Sequence, residues 1–202
     1  ELFLTITIAP KPILDRFTDT LRRAYGTRNI AYTTSPFATF VVVRDTVTDL
    51  QEECVVIDIG EEVTDVAFIK DGFLLYQHSF PVGTYGLYRA LSTHGFHTTH
   101  EAKALLEAHR LGKLAPREST VVDTAITSFV AQWRSGLQGI LDNGQYGFCI
   151  PETFFITADP RFENIFTTSI KTDPYIQHTC SRGVVNPHFI NSETLAHRVA
   201  VT

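Results

Sequence analysis

The residues of this chain best placed to do chemistry lie around one short block, Val55-Val56-Ile57-Asp58-Ile59-Gly60, followed by Thr64-Asp65. An apolar run that ends in an acid and a glycine reads, on its own, as a buried strand entering a turn, with the Asp58 carboxylate capping backbone N–H groups. A second cluster is His94, His97 and His100 with Glu101 alongside. Zinc ligands occur at such spacing. Here Gly95 and a cap at Thr98 put the histidines in a loop before a helix, where they share no face, so they read as solvated loop residues and no metal site is expected. Cys54, Cys149 and Cys180 follow no recognised spacing and read as reduced, small hydrophobes. Ser35, Ser119 and Ser128 lack a nucleophile-elbow context. Neither a P-loop nor a Rossmann glycine fingerprint is present.

The composition narrows the classes. Among 202 residues, 44% are apolar and 19% charged, enough to bury a core and too apolar for general disorder. The net charge of −5 argues against a nucleic-acid partner, which needs a basic face. The longest apolar run, Ala38 to Val43, is far short of the ~20 residues of a membrane-spanning helix. Nothing at the start of the sequence as given resembles a signal peptide. The chain contains no methionine and opens with Glu1-Leu2-Phe3, so a preceding segment is expected.

Several elements must position these residues. Leu2, Leu4, Ile6 and Ile8 alternate as one face of a strand. Pro10 and Pro12 then set a helix carrying Leu14, Phe17, Leu21 and Ala24, stopped by Gly26. Ile30 to Tyr32 suggests a short strand, Ser35 to Val43 is either helix or strand, and Asp45 to Glu53 reads as a polar linker. Three strands follow, at Cys54 to Gly60, Thr64 to Lys70 and Phe73 to Phe80, with Asp71-Gly72 as a hairpin turn. The pattern then turns helical. Tyr85, Leu87 and Leu91 mark one helix, and Thr98 with Glu101 forms a capping box for the next. Thr120 and Asp123 open the longest, with Val122, Ile126, Phe129, Trp133, Leu137 and Ile140 on one stripe, and Asn143-Gly144 closes it. A strand at Thr153 to Thr157, a short helix at Phe162 to Ile170 and a strand at Tyr175 to Thr179 complete an α/β plan.

With that order in place, the block Asp58-Ile59-Gly60, Thr64-Asp65-Val66-Ala67 and Asp71-Gly72 resembles the actin-like ATPase superfamily, and within it the bacterial FtsA and PilM group. Phe80-Pro81-Val82-Gly83 is similar to that group's Pro-Leu-Gly-Gly step into a helix. Ile8-Ala9-Pro10 looks like the end of its small accessory subdomain, Ser35-Pro36-Phe37-Ala38 like the stretch re-entering the first lobe, and Ala102-Lys103 lies where the group has a Glu-x-Leu-Lys-type helix. The resemblance runs from about residue 5 to 168.

The resemblance implies a ribonuclease-H-like lobe and a nucleotide cleft. Residues 1–50 would be the end of the accessory subdomain and first lobe. Residues 51–202 would be the second lobe, with a helical insertion at about 84–146. ATP would meet Asp58, which would help place Mg²⁺, together with Gly60, Glu61, Glu62, Thr64, Asp65, Thr157 and Ala158. The chain departs from the pattern at two of these places. Glu61 and Glu62 stand where the family has small residues, and a carboxylate ~5 Å from a phosphate charge is opposed by roughly 3 kcal/mol at an effective dielectric near 20. Ala158, Asp159 and Pro160 replace the glycines that pass close to the adenosine, and proline cannot take most glycine conformations. The first phosphate loop would precede Glu1.

The site is therefore expected to be vestigial, with no cofactor retained, although ATP and Mg²⁺ are what it would have held. The function implied is a non-catalytic or weakly nucleotide-binding scaffold at the cytoplasmic face of the inner membrane. It would organise a cell-division ring or a pilus or secretion platform through protein partners or self-association. The alternatives are a genuine Mg²⁺-ATP-binding ATPase completed by an upstream lobe, and an unrelated α/β interaction domain.

Overall fold

A computed structural model describes residues 8–46, 53–93, 98–142, 150–179 and 185–190. The helices are α1 (Lys11–Tyr25), α2 (Ser35–Thr46), α3 (Tyr85–Thr93), α4 (Thr99–Arg110), α5 (Pro116–Asp142), α6 (Glu163–Lys171) and α7 (Pro174–Thr179). The strands are β1 (Cys54–Ile59), β2 (Thr64–Lys70), β3 (Phe73–Phe80), β4 (Thr153–Thr157) and β5 (Asn186–Ile190). They form one sheet in the order β3-β2-β1-β4-β5. The three sequential strands are antiparallel, as the hairpin signals predict, and β4 joins β1 in parallel. Asp71 and Gly72 both take positive φ, 51° and 75°, the backbone that a two-residue hairpin turn needs.

The alternation of β1 divides the core between the two faces of the sheet. Val55, Ile57 and Ile59 join the large cluster with α3, α5 and α6, while Cys54 and Val56 pack with Phe40 and Val43 of α2. The long helix α5 buries Val122, Ala125, Phe129, Trp133, Leu137 and Ile140 in the large cluster. Trp133 is fully buried, with its ring centroid 5.0 Å from that of Phe166 in α6.

Four local readings are settled or corrected by the structure, and one strand is added. Ser35–Thr46 is helix, because burying Phe40, Val42 and Val43 outweighs the weak helix preference of the valine run. The longest helix opens at Pro116, whose ring pre-sets the first turn, rather than at Thr120, and Glu118 reaches back to the Ala115 N–H at 3.3 Å. Tyr175 to Thr179 is not a strand. Asp173 accepts from the N–H groups of Tyr175 and Ile176 at 2.9 and 3.3 Å, and with Pro174 it starts α7 instead. Ile30 to Tyr32 pairs with no strand among the described residues. The strand Asn186–Ile190 carries Pro187, which disguises it in sequence and which an edge position tolerates. All but Ile8 of the strand expected at Leu2 to Ile8, most of the linker at Asp45 to Glu53, and Asn143-Gly144 lie outside the described residues.

Trp133→Ala should lower unfolding free energy by ~3–5 kcal/mol in a denaturant titration, since it empties a fully buried site. Trp133→Phe should cost less but still measurably, because it leaves a smaller void and removes the indole N–H that donates to the Thr64 hydroxyl.

Candidate functional site

The site is built at the carboxyl ends of β1 and β4, neighbouring parallel strands in which Asp58 lies beside Thr157. The ladder continues from Asp58 to Asp65 of β2 and from Asp65 to Ser79 of β3. Because cross-strand partners share a face, Thr157, Asp58, Asp65 and Ser79 form a polar row on the face that α2 covers lower down. The Thr157 hydroxyl donates to Asp58 Oδ1 at 2.7 Å, and the Ser79 hydroxyl donates to Asp65. Two carboxylates directly opposite one another repel, so each is held by a hydroxyl from its outer neighbour. The pair is the part of the site that suits a divalent cation, with water or phosphate supplying the remaining ligands. Among the described residues no group of three metal-ligating side chains occurs. His100 is exposed on the first turn of α4, while His94 and His97 lie outside the described residues, as do Cys149 and Cys180.

The loop from Gly60 to Val63 is closed by the Gly60 N–H to the Val63 carbonyl, 2.9 Å. Its carbonyls are already committed: Gly60 O accepts from the Thr84 N–H at 3.0 Å, and Glu61 O from the Tyr85 N–H at 2.8 Å. These bonds satisfy N–H groups at the start of α3. The contact is so close that a Cβ on Gly83 would stand 2.5 Å from the Glu61 carbonyl, so only glycine fits there. Thr64 secures the same junction from within. Its hydroxyl donates to the Val82 carbonyl at 2.6 Å and accepts from Trp133 Nε1 at 3.1 Å.

Both glutamates of the loop are exposed, and each has a local counterpart. Glu62 takes a two-pronged contact from Arg89 of α3, at 3.0 and 2.8 Å, with both side chains 58% exposed. Glu61 sits against the Tyr85 hydroxyl, and its charge, together with that hydrogen bond, raises the phenol's pKa.

At the end of β4 the replaced glycines have a structural use. Ala158 packs against the large core cluster. Asp159 accepts from the Arg161 N–H at 3.0 Å, capping the short 3₁₀ turn Pro160–Phe162. It also holds the Arg161 guanidinium through contacts of 2.5 to 3.1 Å. Arg161 accordingly keeps the Asp159 carboxyl below its usual range, by hydrogen bonding first and charge second. Lys103 of α4 lies 5.4 and 5.3 Å above the rings of Tyr85 and Tyr88, a cation–π bridge between α4 and α3. Burial raises the pKa of Tyr88, and Arg161 partly opposes that rise. The roles of Arg89, Tyr85, Tyr88 and Arg161 are not evident from spacing in sequence, because α3, α4 and the 3₁₀ turn meet only after folding. The Tyr85-x-x-Tyr88 repeat is the one local signal for any of them.

The architecture has solved counterparts. A chain of the PilM–PilN type IV pilus biogenesis complex superimposes with a TM-score of 0.58 at 12% identity, over 86% of this chain and 46% of that one. A ParM filament from Clostridium botulinum gives 0.58 at 13% identity, over 95% and 63%. A non-polymerisable quadruple mutant of pCBH ParM gives 0.54 at 12% identity, over 85% and 54%. This is the actin-like fold. The chain spans less than two thirds of the length of each of these proteins. No protein-family model and no curated protein matches the sequence. Within the actin-like lobe, the residues expected around a nucleotide converge on one end of the sheet. The polar row brings Asp58 and Asp65 side by side there. The two glutamates suit phosphate poorly, and the clamped Asp159 and Pro160 replace the glycines implied for the adenosine side.

Two measurements bear on this geometry. Gly83→Ala should destabilise the fold by ~1–3 kcal/mol, because its methyl group has to displace backbone. Cys54, 2% exposed and pushed up to about 12 by burial, should stay unmodified when the native protein is treated with iodoacetamide at pH 8 and its peptides are mapped by mass spectrometry.

Proposed function

We propose that this chain is a lobe of an actin-like scaffold that binds nucleotide weakly or not at all and acts through its surfaces. On this reading it belongs to a bacterial assembly on the cytoplasmic side of the inner membrane, a pilus or secretion platform or a division ring. It would serve there by contacts with protein partners or with other copies of itself. The reading is supported by the fold it shares with the PilM–PilN complex and the ParM filament. The observation that carries it is the end of β4. The loop that the resemblance would leave open for adenosine is closed by Asp159 capping its own 3₁₀ turn and gripping Arg161.

A second reading, a genuine Mg²⁺-ATP-binding ATPase, draws support from the Asp58–Asp65 row and from Arg89, which takes up one of the two opposing carboxylates. Calorimetry of the full-length protein with ATP and Mg²⁺ separates the two. The scaffold reading expects no heat at millimolar ATP. It also expects Glu61→Gly with Glu62→Gly to restore some phosphate affinity while the adenosine side stays obstructed. A dissociation constant in the low micromolar range for the unmodified protein would overturn it.

A further inference from the structure

Between β3 and β4 the chain runs through three helices, and α4 is the least anchored of them. Ala102 and Leu106 are its buried residues, against Leu87, Tyr88 and Leu91 in α3 and a stripe of seven in α5. The less apolar surface an element buries, the more readily it opens locally. Polar contacts across the face of α4 therefore count for more than they would on α5. At its C-terminal end His109 meets Asp123 of α5 at 2.9 Å. Nearer its N-terminal end the contacts run to α3 and to the turn after β4.

Those contacts centre on Tyr88, which is buried. Lys103 of α4 stands 5.3 Å from the centroid of its ring, and Phe162 of the 3₁₀ turn meets the same ring edge-on at 5.9 Å. Tyr88 is thus the spacer between α4 and that turn. Lys103 also covers Tyr85, three residues earlier on α3, at 5.4 Å. The charges around the spacer are complementary. Lys103 and Glu107 lie one turn apart on α4, and Asp159 and Arg161 lie two residues apart on the turn. Asp159 is held below its usual range first by hydrogen bonds from Arg161, and the charge of Lys103 adds to this. Glu107 is lowered first by its hydrogen bond from Arg110, and the charge of Arg161 adds to that. Each of these two charges on α4 therefore acts on its opposite on the turn, at the side of the sheet end that the resemblance implies for adenosine.

We infer that α4 is a strap closed on the end of the lobe by the protein's own side chains, with Lys103 over Tyr85 and Tyr88 as its latch. Lys103, Glu107 and Asp159 are half-buried and Arg161 is exposed, so salt reaches the latch and weakens it. The consequence rests on the scaffold reading above: in a protein that acts through its surfaces, releasing α4 changes the surface presented.

Hydrogen–deuterium exchange of the full-length protein, read by mass spectrometry on peptides covering residues 102–107, tests the strap. Lys103→Met keeps the apolar stem and removes the charge. It should speed exchange in that segment roughly three- to tenfold, while peptides from β1 and the middle of α5 stay as protected as before. Raising NaCl from about 20 to about 500 mM should speed exchange in the same segment of the unmodified protein about twofold or more. Lys103→Met should lose most of that salt response. Arg117→Met, an exposed cation in the first turn of α5, should leave the segment unchanged. Exchange at residues 102–107 that responds neither to Lys103→Met nor to salt overturns the inference. So does a speed-up spread equally over β1 and α5, which would mean that Lys103 only adds to global stability. The scaffold reading is judged apart from this, by the same measurement on the unmodified protein with millimolar ATP and Mg²⁺. Protection by ATP would overturn that reading, while Lys103→Met and salt still decide the strap.

Discussion

The hydroxyl of Thr64 is the point on which the site's geometry depends. It is fully buried, and both of its capacities are used, as donor to the Val82 carbonyl and as acceptor from the Trp133 indole. One side chain therefore ties the first residue of β2 to the segment entering α3 and to the middle of the longest helix. Were the hydroxyl missing, the Val82 carbonyl and the Trp133 indole N–H would both lose this partner inside the core, which is far more costly than the bonds themselves are stabilising. With Thr64 fixed, Gly83 is drawn against the Glu61 backbone, and the carbonyls of Gly60 and Glu61 meet the N–H groups of Thr84 and Tyr85. The loop after β1 is thus shaped by the core beneath it.

That arrangement accounts for the mixed character of the site. The aspartate pair sits on the ladder, where Asp58 and Asp65 face each other by register and are steadied by Thr157 and Ser79. Holding two acids together has a free-energy cost, and nothing in the packing of the sheet demands it. The surrounding residues have turned to local partners instead. Glu62 faces Arg89, Asp159 faces Arg161, and Lys103 lies over two tyrosines. Each of these contacts is at least partly exposed and worth little by itself. Together they organise the surface around this end of the sheet. A fold of this kind hosts unrelated activities, so the function has to be argued from such residues and not from the architecture alone.

The same division between core and surface holds at the other end of the described chain. The helix α2 is anchored by Phe40 and Val43 against the sheet, whereas α1, next to it in sequence, contributes no buried residue. Burial of apolar surface sets how firmly an element is held.

By itself the sequence determined the elements whose signals are local. The hairpin at Asp71-Gly72, the capping box of Thr98 and Glu101, and the apolar stripe through Trp133 each follow from neighbours a few residues apart, and all three appear in the structure. The acid–glycine block and its trailing Phe80-Pro81-Val82-Gly83 pointed to the actin-like fold for the same reason, because the motif is nearly contiguous. Tertiary structure decided what depends on distant partners. Ser35–Thr46 became a helix because the sheet buries its valines, and Asn186–Ile190 became a strand because β4 offers it an edge despite Pro187. Glu61 and Glu62 read as bare charges in the sequence. Their partners, Tyr85 and Arg89, are more than twenty residues away along the chain and come within reach only when α3 begins on the loop's own carbonyls.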